Sequence, residues 1–346
     1  MDMNYVDRKY ELITQGLQEI FNGTYLRKIL ETKDPVIYWG TAPTGRIHVG
    51  YFVPLLKIKD FVNAGCTVKI LIADIHAFLD NLKCPFEKIE LRSEYYIKMI
   101  KSMLSKLNVD LTKITFVKGS EYQLEKKMIL DLFKLASITS VSQAQHAGAE
   151  VVKKSDDPKL TGLLYPLLQA LDESYLDADA ELGGIDQRKI FGYSKDFGHK
   201  IGITKKFIHL MNPVVPGLVE GKMSSSDNQS KIDLLETEKE IKKKISKVFC
   251  EDGNVEQNSI LELIKNLIFK LTPIFTITRP EQYGGNVTYT NIEDLKIDVA
   301  KGSANGGIHP GDLKNSFVRF IVDYLEPIRK DFESEENKSL VQKAYS

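Results

Sequence analysis

The 346-residue sequence has only three cysteines, no net charge and no long apolar run, and these scarcities bound what the protein can be. Cys66, Cys84 and Cys250 are far apart and have no histidine at metal-ligand spacing, so neither a disulfide framework nor a zinc site is expected. No window approaches the ~20 apolar residues of a membrane helix, which predicts no membrane partner. The opening MDMNYVDRKYELITQ lacks the apolar core of a signal peptide, so a cytoplasmic location is expected. Acidic and basic residues balance at 47 each, so any nucleic-acid surface must be a local patch. Internal repeats and low-complexity tracts are also absent.

What is present has the rhythm of an α/β protein. Single cores stop growing at roughly 250–300 residues, so the length favours two domains. Over the first two thirds, β-branched or aromatic runs alternate with longer helical patterns, as in a parallel sheet with crossover helices. Strands are predicted at Val36–Gly40 (VIYWG), Val68–Ala73 (VKILIA), Ile114–Lys118 (ITFVK) and Phe207–Met211 (FIHLM). Helices are predicted over about 48–63, 85–107, 124–142 and 160–176. Near 230 the sequence turns Lys/Glu-rich (KIDLLETEKEIKKKISKVF), and a last helix starts near Pro310. The expected fold is a Rossmann-type parallel-sheet domain over 1–230 with a helical insertion at about 119–165, then a mostly α-helical domain over 231–346.

Two loops carry candidate chemistry. Gly40–Tyr51 (GTAPTGRIHVGY) joins a buried strand to a helix, the place where Rossmann-type sheets bind ligands. Gly40 and Gly45 permit close backbone approach, Gly50 leaves a flat surface on which an adenine could stack, and His48 can donate to a phosphate. Gly221–Asp227 (GKMSSSD) offers one ammonium and three hydroxyls to a triphosphate without forming a P-loop. Either stretch alone reads as well as a turn or a solvated linker; the pair is far more specific. Tyr165, Gln169 and Asp172 are four and three apart, which places a polar trio on one helix face flanked by leucines. That face suits a pocket of hydrogen-bonding groups, or an amphipathic helix with Asp172 in solvent. Gly183–Gln187 (GGIDQ) reads as a loop that lets backbone and carboxylate reach a ribose.

His48-Val49-Gly50-Tyr51 and Lys222-Met223-Ser224-Ser225-Ser226 resemble the HIGH and KMSKS signatures of class I aminoacyl-tRNA synthetases. The resemblance covers nearly the whole chain and is closest to tyrosyl-tRNA synthetases of the eukaryotic cytosolic and archaeal type. Two positions depart from the signatures: Tyr51 replaces the last histidine and Ser225 the second lysine. Lys222, His48 and magnesium would then carry more of the charge neutralisation.

The resemblance implies activation of L-tyrosine with ATP to tyrosyl-adenylate and pyrophosphate, then transfer to the 3′ end of tRNA(Tyr). ATP is a substrate used with Mg²⁺, and no permanently bound cofactor or metal is implied. His48, Lys222, Ser224 and Ser226 take the catalytic positions. Gly40, Ala42, Thr44, His48, Gly50, Gly184, Asp186, Lys222 and Met223 take those around ATP, Asp186 as the ribose carboxylate. Tyr38 and Asp172 correspond to the pair on the phenolic hydroxyl, and Tyr165, Gln169 and Gln187 to the residues around the α-amino group. Arg188 and Lys189 resemble residues near the acceptor stem, and Tyr283, His309 and Asp312 residues near the anticodon. Gln145 and His146 stand where relatives often show basic residues. A homodimer through the insertion is implied as well. The rival readings are a tryptophanyl-tRNA synthetase, which Tyr38 and Asp172 disfavour, a catalytically silent RNA-binding paralogue, which His48, Gly50 and Lys222 disfavour, and a small nucleotidyltransferase, which leaves the helical C-terminal part unexplained.

Overall fold

The computed structural model describes residues 4–80, 83–152, 159–219, 221–256 and 258–346; residues 153–158 of the expected insertion lie outside these. Packing separates two compact units, residues 1–45, 54–214 and 339–346 in the first and residues 46–53 and 215–338 in the second.

In chain order the first unit holds α1 (Tyr5–Thr14), β1 (Glu19–Phe21), α2 (Gly23–Leu30), β2 (Val36–Thr41), most of α3 (Phe52–Asn63), β3 (Thr67–Ile72), α4 (Asp74–Leu79), α5 (Ile89–Lys106) and β4 (Ile114–Lys118). It continues through α6 (Lys126–Ile138), α7 (Val141–Gly148), α8 (Leu160–Tyr175), β5 (Ala180–Gly184), α9 (Arg188–Phe197) and β6 (Ile208–Asn212). The strands form one sheet in the order β1-β6-β5-β2-β3-β4, with every neighbouring pair parallel except the β1 edge. Runs such as VIYWGT in β2 and TVKILI in β3 are largely buried, as expected of parallel strands covered on both faces. The four predicted strands lie within a residue of their expected positions.

β5 departs from expectation. The stretch expected as a loop at Gly183–Gln187 begins as the end of a strand pairing with both β2 and β6, followed by a short 3-10 turn at Ile185–Gln187. In AELGG, two glycines and an acid suppress local β-propensity, and the central place in the sheet overrides it. α6 to α9 pack around Met128, Leu135, Ala147, Leu167, Leu171 and Ile190. α6 begins at Lys126, after a 3-10 turn at Gly119–Glu121, and α7 is capped by Ser140 in a reciprocal box with Gln143.

The second unit holds α10 (Glu238–Lys247), α11 (Ser259–Leu263), a π turn (Ile264–Ile268), α12 (Phe269–Leu271), a hairpin of β7 (Phe275–Ile277) and β8 (Val287–Tyr289), α13 (Ile292–Ala300), α14 (Pro310–Asp331) and the first turn of α15 (Glu335–Tyr345). It also contains the His48 segment: Val49 N donates to Ile232 O (3.0 Å) and Leu234 N to Ile47 O (3.2 Å). The packing division at 215 therefore precedes the compositional shift near 230. The end of α15 returns to the first unit, where the Tyr345 hydroxyl donates to Gly45 O (3.0 Å) and the Arg92 guanidinium to Ala344 O (3.0 Å) and Thr44 O (2.8 Å).

Candidate active site

In the first unit, the C-terminal ends of the parallel strands surround a small cavity of about 30 Å³. Tyr38, Tyr165, Gln169, Asp172 and Gln187, the five residues expected around the amino acid, all line it, together with Gly40, Ala42, His76 and Glu181. Tyr38 stands on β2; Tyr165, Gln169 and Asp172 share the buried face of α8. Asp172 is 1% exposed, which excludes the amphipathic-helix alternative.

Two residues that sequence reasoning missed, Tyr122 and Gln123, hold Asp172, and a third, His76, lies close by. Asp172 Oδ1 accepts from the Tyr122 hydroxyl (2.7 Å) and from Gln123 Nε2 (2.7 Å), while Oδ2 is met only by His76 Nε2 at 3.8 Å among the described residues. Burial pushes the Asp172 carboxyl up to about 7 against the opposing pull of those two donors. Burial likewise pushes the His76 imidazole down to about 3, so it is neutral. The Tyr38 hydroxyl and His76 Nε2 are buried without hydrogen-bond partners, which is costly unless a ligand completes them. Tyr38 faces the Glu181 carboxyl, and burial followed by that charge raises its hydroxyl well above the usual range. Asp74 builds the frame: it accepts from Ser120 N (2.8 Å), Ser120 Oγ (2.6 Å) and Ile75 N (2.8 Å). Gly119 is demanded there, since a Cβ would lie 2.4 Å from Gln123 Oε1 and 2.8 Å from Asp74 Oδ1. The missed signal was positional: Asp74 and His76 directly follow an apolar strand, and Tyr122 and Gln123 follow the next.

In the second unit, His48 starts a 3-10 turn at Val49–Tyr51, and its Nδ1 accepts from Gly50 N (3.2 Å). That fixes the proton on Nε2, leaving a donor at the outer nitrogen. Burial, and then the nearby Lys231 ammonium, push His48 down to about 3. In the empty site His48 is therefore neutral and a hydrogen-bond donor. Gly50 has a further reason, because a Cβ there would lie 2.9 Å from the His48 ring and 3.4 Å from Met223 Sδ. Lys231 is itself buried, held by Arg46 O (2.9 Å) and Ser225 O (2.6 Å), and burial brings it down to about 8.

The Lys222–Ser226 loop is tied at its base, where Met223 N donates to Val215 O (3.0 Å) and Gly217 N to Gly221 O (2.9 Å). Lys222 is exposed and the Ser224 and Ser226 hydroxyls are 3.2 Å apart. The two positions that depart from the signatures meet each other: Tyr51 Oη lies 3.2 Å from Ser225 Oγ.

The remaining predicted residues are placed as follows. Thr44 lies on the backbone stretch held by Arg92. Gly184 ends β5 and Asp186 lies in the following 3-10 turn. Arg188 is engaged with Glu19 through two bonds (2.7 and 3.0 Å), and Lys189 with Glu150 (2.7 Å). Tyr283, His309 and Asp312 line a separate cavity of the second unit with Arg279, and Tyr283 is 63% exposed. His309 caps α14 by accepting from Gly311 N (3.0 Å), the same His-x-Gly arrangement as His48.

A parallel sheet with a polar, ligand-demanding cavity at its strand ends, a His-x-Gly turn and a lysine–serine loop define a class I synthetase architecture. The family model for tRNA synthetases class I (W and Y) matches residues 30–326, and the chain belongs to that family. Its relatives include the cytoplasmic tyrosine–tRNA ligases of Gallus gallus, 51% identical over 97% of this chain and 63% of that protein, and of Saccharomyces cerevisiae, 46% identical over 93% of this chain and 84% of that one. The crystal structure of a tyrosyl-tRNA synthetase complexed with L-tyrosine from Archaeoglobus fulgidus superposes with a TM-score of 0.82 at 35% identity, covering 94% of this chain and 99% of that one. Within the family the chain therefore falls in the tyrosine branch, and it spans 63% of the length of the Gallus gallus relative. No helix among the described residues is long and apolar enough to cross a membrane.

Proposed function

We propose that the chain activates L-tyrosine with ATP and transfers it to tRNA(Tyr). The observation that carries this reading is the bottom of the first-unit cavity. There an unpartnered Tyr38 hydroxyl and an under-satisfied Asp172 Oδ2 lie together among buried walls. A phenolic hydroxyl donates to the carboxylate and accepts from the tyrosine; phenylalanine leaves both unpaired, and an indole has no oxygen to offer.

Tyr165, Gln169 and Gln187 bind the α-amino group. The substrate carboxylate, with a pKa of about 3.5, is ionised without a general base and attacks the α-phosphorus of ATP; the bond to the pyrophosphate oxygen breaks and pyrophosphate leaves. Gly40, Ala42, Thr44, Gly50, Gly184, Asp186 and Met223 receive ATP, supplied as its magnesium complex. His48 donates from Nε2–H to the phosphate, and Lys222, Ser224 and Ser226 stabilise the developing charge. In the second step a ribose hydroxyl of the terminal adenosine attacks the activated carbonyl and AMP leaves.

Arg188 and Lys189 approach the acceptor stem by exchanging their present carboxylate partners for phosphates. Exposed Tyr283 stacks on an anticodon base beside His309 and Asp312. The catalytic domain spans 1–230 and the anticodon-binding domain 231–346. Leu130, Phe133, Ile138 and Val141, 48%, 61%, 42% and 60% exposed, support a homodimer through the insertion. A cytoplasmic location follows the relatives' names. Amino-acid-dependent pyrophosphate–ATP exchange tests the reading: stimulation by tyrosine is expected, and stimulation by tryptophan alone would overturn it.

A further inference from the structure

A second set of buried carboxyl groups lies behind the cavity. Glu181 on β5 is 3% exposed and lines the cavity, and Glu173 on α8 is 1% exposed. One ligand atom each of Glu173, Glu181 and His209 lie within 4.8 Å of one another. Glu173 is fully engaged: one oxygen is in close contact with His209 Nε2 and the other accepts from the Ser194 hydroxyl (2.8 Å). Glu181 makes no such contact. Among the described residues it is faced by Tyr38 from β2, by Gln169, Asp172 and Glu173 from α8 and by His209 from β6, with no lysine or arginine paired to it.

The bond Glu181 does make is informative. Gln169 Nε2 donates to Glu181 Oε1 (2.9 Å) and to Gln187 Oε1 (2.8 Å), which uses both amide hydrogens. The Gln169 oxygen is left with no hydrogen bond among the described residues, on the side chain that lines the cavity. Once ionised by a cationic occupant, the Glu181 carboxyl accepts and cannot donate, so it forbids the flipped amide and strengthens the exposed oxygen as an acceptor. Burial beside Glu173 disfavours that ionised form in the empty cavity, and a cationic occupant restores it.

We propose that Glu181 is a positioning residue for the substrate α-ammonium, orienting and polarising Gln169 and supplying the buried negative charge against which the ammonium is held. This rests on the tyrosine reading of the cavity. Burial, and next the charge of Glu173, raise the Glu181 carboxyl well above its ordinary range, as expected of a carboxyl awaiting a positive partner.

The test compares two ligands by calorimetry: tyrosine, and 3-(4-hydroxyphenyl)propionate, which keeps the phenol and carboxylate and lacks the amine. In Glu181→Gln, tyrosine binding weakens roughly ten-fold or more while the amine-free ligand is unaffected. Glu181→Asp, which keeps the charge, restores most of the loss. In exchange assays the KM for tyrosine rises and kcat moves far less. Replacing a buried charge by a neutral residue of similar shape is often tolerated; Glu181→Met is the second arm and gives the same selectivity. Unchanged tyrosine binding in Glu181→Gln, or equal weakening of both ligands, overturns the assignment. A wild-type protein that binds no tyrosine overturns the function itself, a distinguishable result.

Discussion

The cavity of the first unit and the loops of the second treat charge in opposite ways. The cavity buries Asp172, Glu173 and Glu181 and leaves Tyr38 without a partner, so it stores unmet demand that one occupant satisfies. The loop at Lys222–Ser226 keeps its lysine and Ser226 exposed and Ser224 and Ser225 half-buried, where polar groups cost little. Selection of a ground-state ligand calls for fixed, desolvated partners, and stabilisation of a transient phosphoryl charge calls for donors that a closing loop brings into place.

Breaking the second unit's side gives the largest effect. Lys222→Ala is expected to lower pyrophosphate–ATP exchange by roughly 10²–10³-fold, the range for removing one transition-state donor, and to leave the tyrosine dissociation constant where it was. A matched loss in tyrosine binding would erase the contrast. On the other side, Asp172→Asn is expected to reduce the preference for tyrosine over phenylalanine roughly 10–100-fold, measured as the ratio of kcat/KM values.

The pH dependence sharpens the same side. With Asp172 raised to about 7, the empty cavity holds a proton on it at pH 6 and loses it by pH 8. The ionised form accepts the phenol, so kcat/KM for tyrosine should rise with pH through 7. The sign for the empty protein is the reverse: a raised carboxyl contributes stability below its unfolded value near 3.8, lost as pH rises through about 7. Asp172→Asn should flatten the rise; a flat wild-type profile would show that Asp172 does not titrate in this range.

The same contrast explains what could be read in the sequence. His48, Lys222 and the Tyr165-Gln169-Asp172 face were legible because each is local, either a short motif or a helix period. Tyr122, Gln123, Glu173 and Glu181 were not, because their meaning is a contact made across the sheet. β5 was invisible for a related reason: AELGG has poor strand propensity, and only its neighbours β2 and β6 make it a strand. β1, three residues long at an antiparallel edge, carries too little pattern to announce itself. Gly50 was legible as a glycine, but the room it gives to a histidine of its own turn was not.

That cause is testable. In Gly50→Ala the new methyl would sit 2.9 Å from the His48 ring and must displace it. Activation should fall roughly ten-fold, the usual scale of an overpacked contact, with tyrosine affinity intact. If activity survives, His48 does not need its observed orientation.

The smallest expected effect concerns the two residues that depart from the signatures. Tyr51 and Ser225 replace a histidine and a lysine, and their hydroxyls lie 3.2 Å apart. Instead of two further cations on the triphosphate, the chain has a neutral contact between the His48 turn and the Lys222 loop. Tyr51 also sets its ring edge against His48, with centroids 5.0 Å apart. Tyr51→Phe keeps the ring contact and removes only the hydroxyl, so the loop loses one hydrogen bond of modest net worth. The KM for ATP should rise about two- to ten-fold, with tyrosine affinity unchanged. Ser225→Ala should reproduce that shift, and the double variant should be no worse than either single one, because one contact is removed once. Additive losses would mean that the hydroxyls act separately on ATP, and the neutral contact would then have no part in holding the loop.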